Sequence, residues 1–180
     1  MANPNAPFGF RPTMRTLSGA AGTLVPAHKL VGYGTALFVG DAVTHAAAGT
    51  KPNLCIDAAI TPGTTPVLGV NLQWGAVSTA TDHTIIIAKD AVFIVQGDGS
   101  GATFLVAASL QKTANLVLTA GNASTKVSKH SLSETSLAAT NTLDLKVRGL
   151  YQSPDNVLGQ YAKVFVTFNN LVESDQKAGI

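Results

Sequence analysis

The sequence predicts an all-β fold: an antiparallel β-sandwich, jelly-roll-like domain preceded by an extended N-terminal arm. Three observations carry this. Near the end of the chain, Ala162, Val164, Val166 and Phe168 share one parity and Tyr161, Lys163, Phe165 and Thr167 the other, the period of two that marks a strand with unlike faces. Short β-prone runs recur between Gly-, Asp- and Asn-containing turns, as in a sandwich or barrel. No stretch alternates strands with long amphipathic helices, which disfavours a parallel α/β sheet.

Taken in order, residues 1–26 hold four prolines and little alternation. Proline lacks a backbone donor and keeps its predecessor extended, so this stretch reads as an arm. Phe8 and Phe10, separated by Gly9, are its aromatic anchors, with Arg11 at the rim. Residues 27–171 form the β domain. Leu37 to Thr44 reads as a strand with a Gly40-Asp41 irregularity. In Val67 to Trp74, Leu68, Val70, Leu72 and Trp74 alternate with mostly small or polar residues, which places Trp74 in the core. Thr84 to Ala88 and Val92 to Gln96 flank Lys89-Asp90-Ala91 as a hairpin or kinked pair. Gly97 to Gly101 is a turn cluster. Ala102 to Leu118 fits either a short helix or two short strands. Thr119 to Thr142 reads as surface loops around a short strand near Val127. Leu143 to Gln152 and Tyr161 to Asn169 form a closing hairpin, and residues 172–180 a polar tail.

The length of 180 residues suits one domain, and size scaling gives a folded surface of roughly 8,000 Å². Apolar residues make up 46% of the chain but aromatics only 6%, so the core is built from small side chains. Charged residues make up 12%, about half the usual share of roughly 25%. A surface of Thr, Ser, Asn, Gly and Ala repels neighbours weakly and loses little hydration when covered, which suits a subunit packed against others. The net charge is +2 and the basic residues are scattered. A nucleic-acid or anionic-membrane surface would gather them on one face, so neither partner is expected.

Cys55 is the single cysteine, which excludes an intrachain disulfide and a thiolate cluster. No charged leader with an apolar core is present, and no apolar run reaches the ~18 residues of a membrane helix. Synthesis and folding in a cytoplasm are the expectation.

No residue spacing points to catalysis. His28, His45, His83 and His130 are far apart in sequence and lack metal-ligand spacing, so they read as surface or loop residues. Gly97 to Thr103 resembles a phosphate cradle only loosely. A strand precedes it, but the next lysine is Lys112, and a Gly-rich turn is the simpler reading. No nucleophile elbow is present. The expectation is a protein that is not an enzyme and that has no catalytic residues, metal or cofactor.

Two stretches carry a resemblance. The opening Asn5 to Pro12 reads NAPFGFRP, and the closing segment holds Pro154-Asp155-Asn156, Gly159, Tyr161-Ala162-Lys163 and Asn169. Val39 to Val43 adds a V-G-D-A-V step. In combination and order these resemble head decoration (cement) proteins of tailed bacteriophages, which are encoded beside the major capsid protein. The middle of the chain, Lys51 to Thr142, matches only in style. The resemblance implies a jelly-roll-like subunit on the outer surface of the capsid, stapling neighbouring capsomers. Its implied partners are the major capsid protein and itself, as a trimer or else a dimer. A carbohydrate- or receptor-binding β module on the virion is the alternative. On this reading Phe8, Phe10 and Arg11 grip a neighbour or the capsid, and deletion of residues 2–12 leaves the β domain folded.

Overall fold

The computed structural model describes residues 3–19, 21–29, 34–46, 54–100 and 105–172. The calls on Gly101 to Phe104 and on most of the C-terminal tail lie outside them. Among the described residues the elements are strands and two three-residue 3-10 turns, Ala107–Ser109 and Glu134–Ser136. The all-β, mainly antiparallel class therefore stands.

One layer is a five-stranded antiparallel sheet of β1 (Arg11–Thr16), β7 (Ala91–Gln96), β12 (Lys163–Phe168), β11 (Leu145–Leu150) and β8 (Thr113–Ala114), in the order β1-β7-β12-β11-β8. The other is a closed barrel, where a sandwich would have a second open sheet. It runs β2 (Leu24–Lys29), β4 (Leu54–Asp57), β3 (Ala42–His45), β5 (Gly69–Asn71) and β6 (Thr81–Ile87), and back to β2. Closure needs β2 to pair with both β4, in parallel, and β6, antiparallel. A five-stranded barrel has room for few side chains, and Ala27, Val43 and Leu68 fill it with Leu37, Ile56 and Ile85. A small ladder of β9 (Leu116–Val117) and β10 (Ser131–Leu132) flanks these layers.

The larger core lies between sheet and barrel. It takes Phe93, Val95, Val147, Val164 and Val166 from the sheet and Ala42, Val70 and Ile86 from the barrel wall. Adjacent residues of β6 divide between the two cores: Ile85 faces the barrel interior and Ile86 the interlayer. This explains the unbroken Ile85-Ile86-Ile87 run, since a strand buried on both faces needs no polar alternation. The accessible surface of 8239 Å² is that of a compact monomer of this mass.

The closing hairpin forms as read. β11 and β12 pair from Leu145↔Phe168 to Leu150↔Val164, and Ala162, Val164, Val166 and Phe168 are all buried. Other expectations are corrected. β6 and β7 do not pair with each other, because the Lys89-Asp90 step carries the chain from barrel to sheet. The ambiguous stretch before Leu118 resolves into the 3-10 turn Ala107–Ser109, β8 and β9. Trp74 is 40% exposed, with the Lys126 ammonium 3.9 Å from its ring centroid.

The extended arm is also corrected. Residues 11–16 are strand β1, paired with β7 through Arg11↔Ile94 and Pro12↔Phe93, and residues 24–29 are a barrel strand. Pro12 sits where strand geometry tolerates it: among the described residues β1 is a sheet edge, paired with β7 alone.

Candidate functional site

The two ends of the chain that carry the resemblance are brought together. Asn3, buried, donates from Nδ2 to the carbonyl oxygens of Val157 (2.9 Å) and Gln160 (2.8 Å), and its Oδ1 accepts the Val157 N–H at 3.0 Å. Gln96, at the end of β7, makes the matching clamp. It donates to Pro4 O (2.8 Å) and Tyr161 O (3.0 Å) and accepts the Ala6 N–H at 3.0 Å. Asn156 closes the hairpin loop by donating to Tyr151 O and Lys163 O and accepting the Lys163 N–H. Two buried side-chain amides thus knit the N-terminal segment to the closing loop, and a third, Asn156, braces that loop from within. A carboxamide can donate and accept at once, which is why Asn and Gln do this work.

The aromatic anchors part company at Gly9. Its φ of +71° suits glycine, and a Cβ there would lie 2.4 Å from the Ser128 Cβ. The turn sends Phe10 into the core, where it is 1% exposed and packs on Phe168 and Phe93 with ring centroids 4.9 and 6.3 Å away. The expectation that Phe10 grips a neighbour is therefore corrected: its ring folds back onto its own domain. Phe8 stays half-buried at the surface, with the Arg11 guanidinium 4.3 Å from its centroid.

Phe8 and Arg11 border the outer face of the five-stranded sheet. Arg11↔Ile94, Ile94↔Phe165 and Phe165↔Gly149 set these residues in a row across four strands. Tyr151 stands edge-on to Phe165, with centroids 5.6 Å apart. Two open hollows lie along this face. One, about 360 Å³, is lined by Phe8, Arg11, Ile94, Tyr151, Asp155 and Lys163. The other, about 410 Å³, is lined by Thr13, Val92, Arg148, Gly149 and Phe165. Lys163 donates to Asp155 at 3.1 Å, and Arg148 Nε donates to Thr167 at 3.0 Å. Burial pushes the Arg148 guanidinium below its ordinary value. The sequence reading names Phe8 and Arg11 as anchors of an arm and does not place them on a sheet face; it names none of Ile94, Tyr151, Phe165 and Arg148 as site residues. The second parity of β12 was the available signal, since Phe165 lies opposite the core-facing valines.

Polar groups elsewhere are sealed in. His28, His83 and His130 are buried, contrary to the expectation of surface histidines. His130 Nδ1 accepts the Ala42 N–H at 3.2 Å, so Nε2 bears the proton that faces Asp41, 3.4 Å away. Burial pushes Asp41 up and His130 down, towards a neutral pair. Ser128, wholly buried, accepts the backbone N–H of His130, so Ser, His and Asp meet here as a brace rather than as a nucleophile relay. At one end of the barrel Lys29, wholly buried, donates to Ala76 O (2.6 Å) and Thr79 O (3.2 Å). Nearby His83 bridges Thr81 and Asn71 at 2.7 and 2.8 Å. Burial and the Lys29 charge hold His83 below its ordinary value.

Glu134 is buried beneath the Gly97–Gly99 turn. Among the described residues neither carboxyl oxygen has a partner in hydrogen-bond geometry, and burial, followed by the Asp98 charge, raises its pKa to about 7. Among the described residues no three His, Cys, Asp or Glu side chains come together as a metal site.

The chain matches no family model, no curated protein and no solved structure.

Proposed function

We propose that this chain is a structural virion protein that decorates and cements a tailed-phage capsid by bridging neighbouring capsomers, without enzymatic activity. The observation that supports this reading is the amide clamp. The opening and closing motifs that resemble decoration proteins are two sides of one surface, held by Asn3 and Gln96. Joined in this way the two motifs form one continuous surface, and they frame the outer face of the five-stranded sheet. The low charge of the chain, 12% of residues, suits a subunit covered by neighbours. Contacts repeated over a shell need only modest affinity at each site. On this reading the five-stranded sheet packed on the barrel is the jelly-roll-like body of the subunit.

A carbohydrate- or receptor-binding module on the virion is the second reading, favoured by the exposed Trp74 ring. Lys126 stacked on that ring occupies a face that a sugar would use. The test is to add purified protein to heads of the parent phage assembled without it. Decoration predicts saturable binding and heads that resist heating or osmotic shock better. A receptor module leaves heads unchanged and binds host cells.

A further inference from the structure

We propose that the outer face of the five-stranded sheet is the surface that grips the capsid, and that it takes a capsid-protein segment carrying a carboxylate beside an apolar side chain. This rests on the decoration reading above.

The face combines apolar relief with unmatched positive charge. Ile94 and Phe165 sit between the two hollows. Gly149 leaves the second hollow open, because a Cβ there would meet nothing within 4 Å. Three cations, Arg11, Arg148 and Lys163, surround this relief, and the one carboxylate lining the hollows, Asp155, is already engaged by Lys163. Among the described residues neither Arg11 nor Arg148 forms a salt bridge. Half-buried Arg148 has lost part of its hydration without gaining a carboxylate. A guanidinium in that state is best matched by a carboxylate arriving from outside, which it can hold bidentately.

The same charges argue against a second copy of the chain on this face. Two copies meeting face to face would oppose arginines to arginines and lysines with a single, already paired, acid on each side. Like charges brought together at an interface are repulsive. The occupant is therefore a different chain with the opposite charge.

The test uses parent-phage heads lacking this protein, with bound protein measured by sedimentation over a range of concentrations and salt. Arg148→Glu and Arg11→Glu change the charge. Gly149→Leu fills the apolar hollow at a position with room for a side chain. Val77→Asp, at an exposed site by the barrel end, is the control. Circular dichroism and thermal melts first establish that each variant is folded. The expected result is tight binding by wild type and by the control, at least tenfold weaker binding by all three face variants, and a wild-type affinity that falls with salt. Wild-type binding that the face variants match overturns the assignment of this face and leaves the decoration reading intact. Loss of self-association in the face variants, with head binding unchanged, makes a second copy the occupant and also overturns it. If wild type does not bind heads at all, the decoration reading falls and this inference with it.

Discussion

Asn3 and Gln160 stand 157 positions apart, yet the Asn3 amide donates to the Gln160 carbonyl at 2.8 Å. The N-terminal segment is fastened by its side-chain amide to the loop that ends at β12. What reads in the sequence as a free arm is a tied strap across the sheet edge.

Asn3→Ala should destabilise the protein by roughly 1–3 kcal/mol. It removes three hydrogen bonds made by a buried side-chain amide, at about 1 kcal/mol net for each bond lost. Gln96→Ala should act similarly, and the double variant should lose less than the sum, because both amides fasten one segment. Urea denaturation of the four proteins measures this. Additive losses would mean that the two clamps work independently.

The two aromatic anchors should now separate cleanly. Phe10→Ala should cost about 3–5 kcal/mol, the usual range for emptying a buried aromatic site, because Phe10 packs on Phe93 and Phe168. Phe8→Ala, at a half-buried surface site, should cost less than about 1 kcal/mol. Deleting residues 2–12 should therefore unfold or badly destabilise the domain, against the sequence-based expectation. Thermal melts decide. A truncated protein that melts like the full chain would refute the strap.

The closing hairpin was legible because its period of two is nearly perfect and its inward residues are uniformly apolar. The barrel was not, since closure depends on the long-range pairing of β2 with β4 and β6, and a strand pattern does not encode its partners. Phe8 and Phe10 looked alike because alternation puts residues two apart on one face. Gly9, through its positive φ, breaks that rule. Trp74 followed the parity of Leu68 and Val70 but lies beyond the end of β5, where parity no longer fixes direction. The buried histidines and Lys29 were hidden for a simpler reason: each has a polar partner that is not a neighbour in sequence, such as Asn71 for His83 or the Ala76 carbonyl for Lys29. The sheet face was half visible, through Phe8, Arg11 and the second parity of β12.

Glu134 should make stability depend on pH. Its carboxyl holds a proton more tightly in the folded state, with a pKa of about 7 against an ordinary value of 4.5. The burden is absent below about 4.5 and complete above about 7, so this group makes stability fall as pH rises between them. Asp98 is the charged group that faces it, and Tyr161 and Gly99 turn backbone N–H groups towards it. Glu134→Gln should stabilise the protein at pH 8 by on the order of 2–3 kcal/mol and leave it unchanged near pH 4. Denaturation of both proteins across this range measures the difference. A constant difference at all pH values would show that the Glu134 carboxyl binds its proton equally tightly in the folded and unfolded states.

A trimer is the predicted assembly in solution, with a dimer next. Few charges need to be desolvated at such an interface, closed symmetry is the rule for self-association, and a trimer matches the three-fold positions of an icosahedral shell. Multi-angle light scattering should give three times the 18.4 kDa chain mass. A monomer both in solution and on the capsid would rule it out.

The most direct measurement is a cryo-electron map of the parent phage head. The account predicts density for this barrel-and-sheet subunit on the outer surface, bridging neighbouring capsomers, with Ile94, Phe165 and Arg148 turned towards the capsid protein. A head whose outer surface lacks this chain, or a particle that carries it only on the tail, would contradict the account.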